Sequence, residues 1–187
     1  MTAICFFPRF ARAIAISPRQ PLYRSELSET YTKAALGLYQ NKAAQDQVEN
    51  LIQNAIAESQ RAIDLSPKSV NLKRSQFSMY IRLSLIDPKY LTPAVGVLEE
   101  TVKLAPTDAK LYYNLGLTYA RLGQIDKATE VMVKTIELKP NYKEARLAHA
   151  LFLINKKDYA KAKEELNYIL TNIDPQDQTT KDTLQSL

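Results

Sequence analysis

Apolar residues recur at helical spacing along most of the chain. Tyr112, Leu115, Tyr119 and Leu122 fall at i, i+3, i+7 and i+10, so they share one stripe of a helix. Gly123 follows, and glycine accepts the positive φ that commonly ends a helix. A second helix then runs to Pro140, which stops it. Asn141 with Glu144 reads as a capping box that opens the next helix. Upstream, the segment from Ala43 to Leu65 carries a stripe of Val48, Ile52, Ala55, Ala62 and Ile63. The helix from Ser69 to Ile86 sets Phe77, Tyr80 and Ile81 on one face and ends at Asp87-Pro88. Thr92-Pro93 reads as a cap with a proline in the first turn of a helix that carries Ala94 and Leu98.

These elements repeat. Prolines that follow an apolar helix end stand at Pro18, Pro67, Pro106, Pro140 and Pro175, with spacings of 49, 39, 34 and 35 residues. The period is 34, with insertions in the first two units. The extra 15 residues of the first unit predict lengthened helices and a longer turn at Gln40 to Lys42. The unit AKLYYNLGLTYARLGQIDKATEVMVKTIELKPNY, residues 109–142, resembles the tetratricopeptide repeat, whose pattern is W-x2-L-G-x2-Y, then A-x3-F, then P. Tyr112 stands for the Trp, Leu115-Gly116 and Tyr119 follow, Ala128 leads to Met132, and Pro140 closes the unit. Gly116 and Ala128 are small enough to let two antiparallel helices approach closely. The next unit is a weaker copy, with His149, Ala150, Leu153, Ala162 and Leu166 at the matching places. Leu27, Ser28 and Tyr31 take those places in the first unit.

The resemblance implies an all-α fold: a right-handed superhelix of about four antiparallel helical hairpins, with a partial helix before them and a short closing helix after. The expected boundaries are 1–20 for the partial helix and 21–175 for the array, in units 21–67, 69–106, 109–140 and 143–175, with a capping helix over 176–187. Phe10 to Ile16 resembles only the second helix of a unit, which leads us to expect chain before Met1. Three stretches, 17–31, 69–90 and 104–124, resemble more narrowly the C-terminal repeat tails of bacterial O-antigen ligase/polymerase-like membrane proteins. That resemblance implies an envelope-polysaccharide context for a tail lying outside the bilayer. It implies no catalysis in this chain, because nothing here matches the membrane domain.

Composition narrows the chemistry. The chain has 187 residues, 45% apolar and 24% charged, which is an ordinary globular balance. Four glycines and no tryptophan argue against a sandwich or barrel. One cysteine, Cys5, rules out a disulfide framework within the chain, and with one histidine, His149, it cannot build a zinc site of the usual kind. No run approaches the ~20 apolar residues of a membrane span, and MTAICFF is too short and wrongly flanked for a secretory signal. A complete chain is therefore expected in the cytoplasm, and a fragment of the membrane-protein family outside it. His149 is expected to pack rather than to catalyse. Glu99-Glu100 and Glu164-Glu165 are helical neighbours that point about 100° apart, so both pairs read as solvated faces. No nucleotide-, zinc- or hydrolase-type motif is present, so no enzyme, cofactor or metal is expected.

The net charge is +5, and residues 139 to 163 hold seven Lys/Arg against two acids. Nucleic-acid readers interleave exposed aromatics with such charge, whereas the tyrosines here fall mostly on packing positions. We therefore expect a solvated basic face and no nucleic-acid partner. What remains is a protein or peptide partner. In the tetratricopeptide family, positions 2, 5, 9, 12 and 13 of each first helix line a concave groove. Carried over, they are Lys110, Tyr113, Leu117, Ala120 and Arg121, then Glu144, Leu147, Leu151, Ile154 and Asn155. Lys110 and Arg121 suit the basic clamp that some members use for a peptide carboxylate. Glu144 and Leu147 do not, so no clamp is assigned. The candidate peptide groove is Lys110, Tyr113, Leu117, Arg121, Leu147, Leu151 and Asn155. The alternative is a structural spacer without a dedicated ligand.

Overall fold

The computed structural model describes residues 7–187, so Cys5 and Phe6 lie outside the described residues. The chain divides into two compact units, Met1–Leu104 and Ala105–Leu187. Among the described residues all regular structure is helical.

In the first unit, α1 (Phe7–Ile16) packs on α2 (Pro21–Gln40), which pairs with α3 (Gln45–Leu65). α4 (Val70–Leu83) leads through a 3-10 turn at Pro88–Tyr90 into α5 (Leu91–Leu104). Pro21 opens α2, where its fixed φ suits the first turn. α2 and α3 have 20 and 21 residues, so each overhangs an ordinary 13- or 14-residue repeat helix by about 10 Å at 1.5 Å per residue. The sequence insertion is therefore mostly lengthened helix, as expected, while the turn falls at 41–44 with Gln40 still inside α2. Ala35, Val48, Ile52, Ala55, Met79, Leu83 and Tyr90 form one buried cluster in this unit. Ile16 of α1 and Leu22 of α2 are exposed.

In the second unit, α6 (Ala109–Arg121) and α7 (Ile125–Leu138) form one hairpin, and α8 (Lys143–Asn155) and α9 (Tyr159–Asn172) the next. α10 (Gln178–Gln185) closes against α9. The Asp108 carboxylate caps α6, accepting from Lys110 N at 3.0 Å and Leu111 N at 3.3 Å. Gly123 has φ 74°, as its place after α6 predicts. Lys157, one period later, adopts φ 62° without a glycine's freedom.

Three details differ from the sequence reading. Asn141 and Glu144 do not form a capping box. The turn closed by Tyr142 N donating to Lys139 O sets Tyr142 as the cap, and its carbonyl accepts the first helical bonds, from Ala145 N and Arg146 N. Thr92 is not a cap either. The 3-10 turn runs straight into α5, and Asp87 caps that turn by accepting from Lys89 N at 2.9 Å. In α4 the fully buried apolar positions are Leu72, Met79 and Leu83, while Phe77, Tyr80 and Ile81 are half-buried beside them.

Candidate functional site

The expected groove residues lie on α6 and α8 of the second unit. The repeat register gives the two helices equivalent places, but their side chains differ in burial. Tyr113 and Leu117 are half-buried and pack against a cluster of Met132, Ala145 and Ala148, together with Ile136, Tyr142 and Phe152. The Tyr113 and Tyr142 rings lie 5.0 Å apart, tilted by 38°. Lys139 Nζ sits 4.5 Å from the Tyr142 centroid, close enough for cation–π attraction. Burial raises both tyrosine pKa values, and the Glu144 carboxylate adds to the rise. Tyr113 and Leu117 thus serve mainly as packing, with only their edges open.

The exposed members are Lys110, Arg121, Leu151 and Asn155, with Leu147 half-buried. Leu151 keeps 48% of its surface exposed. One 34-residue period separates it from half-buried Leu117, which packs against the same cluster as Phe152 of α8. Lys110, Lys139 and Tyr142 line an open cleft of about 520 Å³ beside the start of α6.

Behind this face lies a polar network. Arg146 and His149, three residues apart on α8, both reach Glu165 on α9. Arg146 pairs with Glu165 and donates from Nε to the Pro140 carbonyl at 2.6 Å, while His149 Nδ1 lies 3.0 Å from Glu165 Oε1. The Arg146 guanidinium also stacks 3.5 Å from the Tyr168 ring centroid. Burial pushes the Glu165 pKa up, but the hydrogen bonds from His149 and Arg146 outweigh it, so the carboxyl stays below its ordinary value. Glu165 is therefore not part of a solvated face, and Arg146 is not part of a solvated basic one. The Arg-x-x-His spacing was the available signal, since it puts both groups on one face of α8. His149 is a buried packing residue with an oriented partner.

Among the described residues no group of three or more His, Cys, Asp or Glu could hold a metal ion. No helix among them is long and apolar enough to cross a membrane.

Helical hairpins with a small-residue crossing, a left-handed residue at the turn and a proline stop recur in the second unit. Residues 97–130 match the family model described as Tetratricopeptide repeat. No curated protein matches the chain. Solved structures share the fold. A crystal structure of MamA is 21% identical, with 95% of this chain and 88% of that one covered at a TM-score of 0.67. A thermophilic TPR protein of Thermus thermophilus is 22% identical, with coverage of 95% and 86% and a TM-score of 0.59. MamA 41-end from Desulfovibrio magneticus RS-1 is 22% identical, with coverage of 94% and 97% and a TM-score of 0.57.

Proposed function

We propose that the chain is a non-catalytic scaffold that holds a protein or peptide partner against the α6 and α8 face. The observation that carries the reading is exposed Leu151 one turn from half-buried Leu147 on α8, with Asn155 a further turn on and with Lys110 and Arg121 also exposed on α6. An apolar strip with a polar rim is how protein interfaces are built. The repeat match over 97–130 and the shared fold of solved tetratricopeptide structures support it.

The test is capture of partners by the purified chain, compared with a Lys110→Ala, Leu151→Glu variant. Both residues are exposed, so the helical circular dichroism should not change while capture falls. Tyr113 is less suited, because its removal also strips the Met132 cluster. Equal recovery of the same partners by both proteins would reject this face. The comparisons support the repeat and not the narrower link to O-antigen ligase/polymerase-like tails. That link rests on the stretches 17–31, 69–90 and 104–124 alone and is not part of the proposed function.

A further inference from the structure

The two units fill three of four matched repeat positions with different chemistry. Counted from the proline before each first helix, Ser25 and Glu29 of α2 occupy the places of Tyr113 and Leu117 of α6. Ser75 and Met79 of α4 likewise occupy the places of Ala148 and Phe152 of α8. In the second unit these places hold Tyr113, Leu117, Ala148 and Phe152, all packed into one apolar cluster. In the first unit the same space is left as a pocket of about 210 Å³, bordered by α2, α3 and α4.

Every side chain that lines it except Met79 carries an oxygen. Hydroxyls come from Ser25, Ser28, Ser59, Ser75 and Ser78, and carboxylates from Glu26 and Glu29. Ser28 is spent on structure, since its Oγ donates to the Ala55 carbonyl at 2.7 Å and lies 3.3 Å from Met79 Sδ. Ser59 is only 5% exposed, lines the pocket, and has no hydrogen-bond partner among the described residues. Its Oγ keeps access to the pocket and is free to accept a hydrogen bond there. Glu29 is shared by Lys33 at 3.2 Å and Arg82 at 3.3 Å. Glu26 has no ion-pair partner among the described residues.

We propose that this pocket receives the side-chain ammonium of a lysine on a partner segment. An ammonium brings three donors and no acceptor. The pocket offers hydroxyl lone pairs and one uncompensated carboxylate, and charge-assisted bonds of this kind are the stronger ones. The alkyl stem of the lysine lies against Met79. This proposal rests on reading the chain as a peptide-binding array, but it is read out at the pocket itself. A failed capture experiment on the α6 and α8 face and a failed titration here are therefore separate results.

The experiment is an amide chemical-shift titration of the ¹⁵N-labelled full chain with Nα-acetyl-lysine N-methylamide. The norleucine and Nε-acetyl-lysine analogues and n-butylamine serve as comparison probes. We expect saturable shifts at Ser25, Ser28, Ser59 and Ser78 with the lysine probe. The two analogues without an ammonium should bind about tenfold more weakly, as loss of a charged hydrogen bond predicts. Ser78→Leu should fill the pocket and abolish the shifts. Glu26→Gln, at an exposed position that leaves the fold alone, should weaken binding several-fold and decides the matter if Ser78→Leu does not fold. Absence of shifts at these serines, equal binding of the norleucine probe, or indifference to Glu26→Gln overturns the proposal. Butylamine binding as tightly as the lysine amide overturns the assignment to a peptide side chain.

Discussion

A Cβ placed on Gly116 would lie 2.9 Å from Met132 Cε, with the Ala128 carbonyl oxygen 3.4 Å away. α6 and α7 therefore cross where nothing larger than hydrogen fits without movement of Met132. Gly116→Leu should destabilise the chain by about 1–3 kcal/mol through overpacking. Ala128→Leu, at a fully buried position in the same hairpin, should do the same. Chemical denaturation checks this as a lower midpoint, and unchanged midpoints for both variants would mean the helices do not meet there.

The Glu165 network gives a second prediction. Glu165→Ala leaves the buried Arg146 and His149 side chains without their shared acceptor. The cost of a buried polar group losing its partner is about 1–3 kcal/mol. Glu164→Ala, one residue earlier and exposed, should be close to neutral. Parallel urea unfolding of the two variants checks the contrast.

That contrast marks what the sequence could not show. Glu164-Glu165 reads as two equivalent acids, and only the rotation of α9 against α8 sends the second one inward. The hairpin itself was legible, because Gly116, Ala128 and Pro140 each mark a steric need of the crossing or the stop. The long α2 and α3 were legible from the spacing of Pro18 and Pro67. The caps at Asn141 and Thr92 misled, because a turn hydrogen bond moves a helix start by a residue and no side-chain pattern records it. The serine-lined pocket needed both the register and the space between α2, α3 and α4. Of the groove residues, the spacing identified the places, but it could not tell half-buried Tyr113 and Leu117 from exposed Leu151.

Asp177 ties α10 down, and its link should fail in acid. Its carboxylate accepts from Thr180 Oγ1 at 2.5 Å, Lys143 Nζ at 2.9 Å and Thr180 N at 2.9 Å. The Thr180 hydroxyl and the Lys143 ammonium hold its pKa at about 2, below the ordinary 3.8. A depressed carboxylate pKa contributes stability above the unfolded value and loses it as the pH falls through the folded one. The contribution is therefore complete above about pH 5 and is lost progressively down to about pH 1. Amide protection in residues 178–185 should fall across that window, and Asp177→Asn should show reduced protection already at pH 7.

The most direct test of the scaffold reading places a photo-crosslinking amino acid at Leu151 and, in a second protein, at Glu164, both exposed. After illumination in lysate, the Leu151 protein should form a discrete crosslinked band that excess unlabelled wild-type chain competes away, and the Glu164 protein should not. The same bands from both positions, or none from Leu151, would contradict partner binding at the α6 and α8 face.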